Sequence, residues 1–138
     1  MSGVVIIGAG HAAGQAAASL RQAKYEGDIT IIGEEAHIPY QRPPLSKAYL
    51  KGEQSADKVY LRAESFYADR NITMKLSTTA TAIDTAAKTV ALNTDETLSY
   101  DHLLISTGSR PRKLSIEGSG LPGIHYLRTM DDVDGLRE

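Results

Sequence analysis

The sequence of 138 residues contains no cysteine and no tryptophan. Without cysteine there is no disulfide framework, no thiolate metal site and no dithiol redox pair. The four histidines, His11, His37, His102 and His125, lie scattered without metal-ligand spacing, so no metal centre is expected. No apolar run approaches the ~20 residues of a bilayer span, and no basic stretch precedes an apolar signal region. Neither sign of charge dominates. A net charge of −2 with interspersed signs gives no electrostatic footprint for nucleic acid or an anionic membrane. Seven tyrosines and a single phenylalanine do not form a stacking face for bases. These absences make the cytoplasm the default location. What remains, 41% hydrophobic and 23% charged, is ordinary for a soluble globular domain long enough to bury a core.

The most informative stretch is at the start. Val4, Val5, Ile6 and Ile7 read as a buried parallel strand that stops on Gly8-Ala9-Gly10 and opens into an alanine-rich helix at His11, Ala12 and Ala13. Gly8 allows the tight turn, and Gly10 has no side chain to hold a pyrophosphate off the backbone. Ala13, with Gly14 beside it, lets the helix approach the sheet. The N–H groups opening that helix, and its dipole, then favour phosphate charge. A second strand at 28–32 ends in Gly33, Glu34 and Glu35. Glu34 falls 24 positions after Gly10, close to the ~20 expected for the acid that accepts from the adenosine ribose hydroxyls. A carboxylate there disfavours a 2′-phosphate. The pattern describes a dinucleotide cradle.

Strand 4–7, helix 11–24 and strand 28–32 form a βαβ unit whose strands should be parallel and adjacent. The prolines at 39, 43 and 44 exclude helix and central strand. Ser46 is placed to cap a short helix through Lys51, ended by Gly52, and a second short helix is expected at 63–70. Strand candidates at 72–76, 79–84, 88–92 and 97–100 suggest an antiparallel ribbon. A third parallel strand, from His102 to a glycine turn at Gly108, returns to the main sheet. Tyr126 and Leu127 suggest a last strand, followed by a helix start near Met130. The fold class is α/β, Rossmann-like, a parallel sheet with an added antiparallel ribbon, in one domain.

Three stretches together carry a family resemblance: Val-Val-Ile-Ile-Gly-Ala-Gly at 4–10, Pro-Tyr-Gln-Arg-Pro-Pro-Leu-Ser-Lys at 39–47, and Leu-Ile-Ser-Thr-Gly-Ser-Arg-Pro-Arg at 104–112. The chain resembles the N-terminal part of the FAD-dependent, NADH-using ferredoxin reductases of bacterial cytochrome P450 and ring-hydroxylating oxygenase systems. Putidaredoxin reductase is the type case, with apoptosis-inducing factor a relative. The Arg-Pro-Pro-Leu-Ser-Lys run is the specific part of the match. The resemblance implies that Gly8, Ala9, Gly10, His11, Ala12 and Ala13 hold the FAD pyrophosphate and that Glu34 binds the ribose. It implies that Arg42 reaches the pyrophosphate, that Pro43 and Pro44 wall the isoalloxazine, and that Lys47 points toward the flavin. Ala80 contacts adenine through its backbone on this view. Thr107 and Gly108 allow close approach to FAD, and Arg112 and Arg128 are cofactor-side arginines. Two readings of Glu35 stand, a second ribose ligand or a solvated loop acid. Two readings of His11 also stand, a polar role near the flavin or a tolerated variation where related proteins often have leucine.

The family's NADH-binding domain, with its own glycine turn, and its C-terminal domain are not in these residues. The resemblance therefore implies a part of a longer protein, which in full passes electrons from NADH through FAD to a [2Fe-2S] ferredoxin. A catalytic side chain is not expected, because the flavin carries the chemistry. Alternatives of other classes are a non-catalytic nucleotide-binding or interaction module, and an NAD-dependent dehydrogenase fragment. The 42–47 passage argues against the last, since NAD folds do not need it.

Overall fold

The computed structural model describes residues 3–138. Its first strand, β1 (Gly3–Ile7), is buried along its length. Val4 and Ile6 enter one apolar cluster, while Val5 and Ile7 enter a second, as a strand covered on both faces requires. Helix α1 (His11–Gln22) buries Ala13, Gly14 and Ala17, small residues that let it pack closely. Strand β2 (Ile29–Ile32) pairs parallel with β1, Val4 opposite Ile29.

After β2 the chain departs for an excursion. Tyr40 and Tyr60 pair as an isolated antiparallel bridge at its base. Helix α3 (Glu64–Asp69) leads into β3 (Ile72–Lys75), β4 (Ala80–Asp84), β5 (Thr89–Leu92) and β6 (Thr97–Ile105). The six strands form one sheet in the order β3-β2-β1-β6-β5-β4. Pairings β3 to β2, β2 to β1 and β1 to β6 are parallel, and β5 runs antiparallel to both β6 and β4.

The Rossmann-like α/β class with its antiparallel ribbon is as expected, but three strand assignments differ. Residues 72–76 do not join the ribbon. They pair parallel with β2, register Ile29 to Ile72, because Ile72 is needed in the core between sheet and helix. Residues 97–100 and 102–105 are one strand. Ser99 pairs with Thr89 of the ribbon and His102 with Val4 of the parallel sheet. The register shifts at Asp101 between them, a bulge that hides the continuity from period-two reading. Residues 126–127 form no strand.

The chain divides into two compact units, one of residues 3–40 with Tyr60–Gly108, the other of Gln41–Val59 with Ser109–Glu138. The sheet, α1 and α3 lie in the first. The second contains a 3-10 turn over Pro43–Ser46, α2 (Ala56–Val59) and α4 (Met130–Arg137). Ser46 closes the 3-10 turn instead of capping a helix through Lys51. Pro43 and Pro44 at its start set φ for that tighter turn. Leu45, Tyr49, Val59, Met130 and Val133 are the buried residues of this unit. Among the described residues no helix is long and apolar enough to cross a membrane.

In the first unit, Arg21 holds the end of α1 in place. Its guanidinium donates to the carbonyls of Tyr25, Gly27, Arg70 and Asn71 at 2.6–2.8 Å. Tyr67 of α3 is 1% exposed, and its hydroxyl has no hydrogen-bond partner among the described residues. Burial pushes its pKa above 10.0, against the pull of Arg62. Removing an unpartnered buried hydroxyl relieves a desolvation cost. Tyr67→Phe is therefore expected to raise unfolding stability in urea by on the order of 1 kcal/mol. A fall of that size would mean the hydroxyl is bonded in solution.

Candidate dinucleotide-binding site

The carboxyl ends of β1, β2 and β6 meet at the turn over residues 8–10, with β1 between strands that follow in opposite directions across the sheet. In open α/β sheets that is where ligands bind. The Gly8 N–H donates to Ile32 O at 2.8 Å, tying the turn to the end of β2. Gly8 has φ +106°, and a Cβ there would lie 2.3 Å from Ser106 O. Ser106 in turn donates its N–H to Ile7 O at 2.8 Å. Thr107 and Gly108 follow, both exposed at this edge.

Gly10 is the N-cap of α1. It offers no side-chain cap, and the first turn of the helix carries no acid. The N–H groups opening a helix lack intrahelical partners, and His11 and Ala12 are exposed there. A Cβ on Gly10 would meet nothing within 4 Å. The turn thus presents donors, a favourable dipole end and open space, with no carboxylate in the first turn of the helix to repel an anion.

Glu34 is exposed just beyond β2. Glu35 differs. It is half-buried, and its carboxylate accepts from the Tyr40 hydroxyl. Its carbonyl accepts from Ser77 N–H at 3.1 Å, while Thr78 N–H donates to Gly33 O at 2.8 Å. The loop that carries Glu34 is therefore fixed on both flanks. Ala80, at the start of β4, packs against the cluster containing Val5, Ile7 and Ile32.

In the second unit, Arg42 precedes the 3-10 turn and donates from Nη1 to the Arg128 carbonyl at 2.6 Å. Sequence positions 42 and 128 thus come together. Arg128 is held by the cap of α4: the N–H groups of Arg128 and Thr129 both donate to Asp132 Oδ2 at 2.8 Å. The Asp132 N–H donates back to Thr129 Oγ1 at 3.1 Å. Burial draws the Asp132 carboxyl pKa upward. The Thr129 and Arg128 N–H bonds, the Thr129 hydroxyl and the Arg42 charge outweigh it and leave the pKa below 3.8. Tyr49 donates to Asp134 Oδ1 at 2.9 Å. Lys47 is exposed and donates to Pro43 O at 3.2 Å. Arg112 lies in the exposed segment following residue 108.

The structure therefore gathers Gly8, Ala9, Gly10, His11, Ala12, Ala13, Glu34, Thr107 and Gly108 at one edge of the first unit. In the second it pairs Arg42 with Arg128, and keeps Pro43 and Lys47 in one turn. Sequence reasoning missed Tyr40 as the partner of Glu35, and Ser106 as the wall behind Gly8. It also missed the capping box at Thr129 and Asp132, although the Thr-x-x-Asp spacing was there to be read.

Residues 2–138 match the family described as "Pyridine nucleotide-disulphide oxidoreductase". The chain belongs to that family. Its members are FAD-binding flavoproteins. Within it, the chain is 46% identical over 134 residues to a probable ferredoxin reductase, CtmF, of Castellaniella defragrans, covering 97% of this chain and 33% of that protein. It is 45% identical to the rubredoxin-NAD(+) reductase of Pseudomonas putida, over 97% of this chain and 35% of the relative. Among solved structures, the ferredoxin reductase for the CYP199A2 system from Rhodopseudomonas palustris superposes with a TM-score of 0.91. The identity is 44%, covering 99% of this chain and 34% of that one. The chain thus spans about a third of the length of the family members it matches.

Proposed function

We propose that the chain is the FAD-binding part of an oxidoreductase. In full, that protein passes electrons from NADH through FAD to a [2Fe-2S] ferredoxin serving a cytochrome P450 or ring-hydroxylating oxygenase. The observation that carries the reading is Gly10, where a helix N-terminus free of acid in its first turn opens onto space that a side chain would otherwise occupy. The names of the relatives, ferredoxin and rubredoxin reductases, support the electron-transfer role and the use of an iron–sulfur or rubredoxin-like acceptor.

When bound, FAD supplies the hydride-accepting and electron-passing chemistry. The protein's part is to bind and orient. The N–H groups from Gly10 to Ala13 take the pyrophosphate, with Gly8 and Ala9 shaping the turn. Glu34 accepts from the ribose hydroxyls, and Glu35 acts on it indirectly by tying its loop to Tyr40. Ala80 takes the adenine side, and Thr107 and Gly108 leave room at the end of β6. Of the second unit's residues, Arg42, Arg112 and Arg128 offer guanidinium donors suited to phosphate oxygens. Pro43 gives the rigid wall, and Lys47 a cation whose charge favours an anionic reduced cofactor.

Glu34→Ala is expected to weaken FAD binding by about 1–3 kcal/mol, the loss of hydrogen bonds to a charged acceptor, or roughly 5- to 150-fold in Kd. Quenching of flavin fluorescence during titration reads it. An unchanged Kd would remove Glu34 from the site, and NAD binding in place of FAD would remove the reading itself.

A further inference from the structure

Outside the cradle, α1 and α3 of the first unit border a cleft of about 520 Å³ lined by Ala18, Arg21, Gln22, Arg62, Phe66 and Arg70. Three of the six are cationic and none is acidic, in a chain whose net charge is −2. Arg21 is committed to four backbone carbonyls. Arg62 and Arg70 are not so used. Arg62 donates to Gln15 Oε1 at 3.1 Å, and its guanidinium lies 5.0 Å from the centroid of the Phe66 ring. Arg70 stacks closer, at 4.1 Å. Neither has a carboxylate partner among the described residues.

We propose that this cleft docks an acidic peptide segment of a partner protein, with carboxylates received by Arg62 and Arg70. Stacking on Phe66 holds both guanidiniums in place before the partner arrives, so less rotamer freedom is lost on binding. Their carbon atoms can be no more than about 9 Å apart, given their distances to the shared ring. Carboxylates on one face of an extended peptide recur every ~7 Å, and planar forks suit them bidentately. A nucleotide fits less well, because guanidiniums already occupy the aromatic surface on which a base would stack.

A fluorescein-labelled peptide of alternating glutamate and serine, titrated into the full chain at low salt and followed by anisotropy, tests this. Saturable binding is expected, weakening as salt shortens the screening length. It should fall at least about tenfold, or about 1.4 kcal/mol, in Arg62→Gln/Arg70→Gln, and stay unchanged in Lys88→Gln, a surface control. Circular dichroism checks that the double variant is folded. Arg70→Gln alone, whose side chain loses only the Phe66 contact, serves if it is not. No saturable binding, or equal affinity in the folded variants, overturns the proposal. So does tripolyphosphate binding more tightly than the peptide and displacing it, which would mark a site for small polyanions.

Discussion

Gly8→Val is expected to unfold the first unit under conditions where the parent chain is stable. Gly8 sits at φ +106°, and a Cβ there would lie 2.3 Å from Ser106 O and 2.7 Å from its carbonyl carbon. These are backbone atoms, and Ser106 is fastened to Ile7 by its own N–H, so the neighbour cannot swing aside. A β-branched residue in the left-handed region costs about 1–3 kcal/mol, and forced overpacking adds about 1–3 kcal/mol. Together, at about 2–6 kcal/mol, they reach the low end of the ~5–15 kcal/mol that holds a domain folded. Urea unfolding followed by far-ultraviolet circular dichroism would show the midpoint collapse. An unfolding free energy within about 1 kcal/mol of the parent's would mean that β1 and β6 are not pinned at this point.

Gly10→Asp is expected to separate folding from binding. Gly10 has φ −89° and ψ −165° as the N-cap of α1, ordinary extended backbone open to any residue. Aspartate is a better N-cap than glycine by a few tenths of a kcal/mol. Its carboxylate accepts from the first-turn N–H groups and fills space that is otherwise open. Stability should therefore hold or rise slightly. The donors that the proposed function assigns to the pyrophosphate are then consumed, and a fixed negative charge faces it. Like-charge juxtaposition of that kind costs several kcal/mol, at least about 100-fold in Kd. The two glycines of one turn thus have opposite jobs. Gly8 serves the fold, and on the proposed reading Gly10 serves the ligand.

Much of this was legible in the residues. The continuous aliphatic run at 4–7, the glycine pattern and the acid after the second strand are local signals, and local signals locate β1, α1, β2 and the glycine turn between them. The departures come from information the chain does not carry locally. Ile72 looks the same in a ribbon or a parallel edge, and only the core it completes decides. The bulge at Asp101 breaks the period-two pattern within a single strand. Arg21 reaches carbonyls 49 and 50 positions away, and Arg42 meets Arg128 across 86. Backbone carbonyls are acceptors at every residue, so no sequence pattern announces such bonds. The capping box at Thr129 was readable and shows the converse case, a local rule that fixes the start of α4 and the Arg128 backbone beside it.

The central claim is that the turn over residues 8–10 is an FAD cradle, and titrating FAD into the chain and into Gly10→Asp, with NAD as competitor, tests it most directly. The account predicts saturable FAD binding by the parent, poor competition by NAD, and loss of FAD binding in a variant that remains folded. Equal FAD affinity in parent and variant, or preference for NAD, would contradict it.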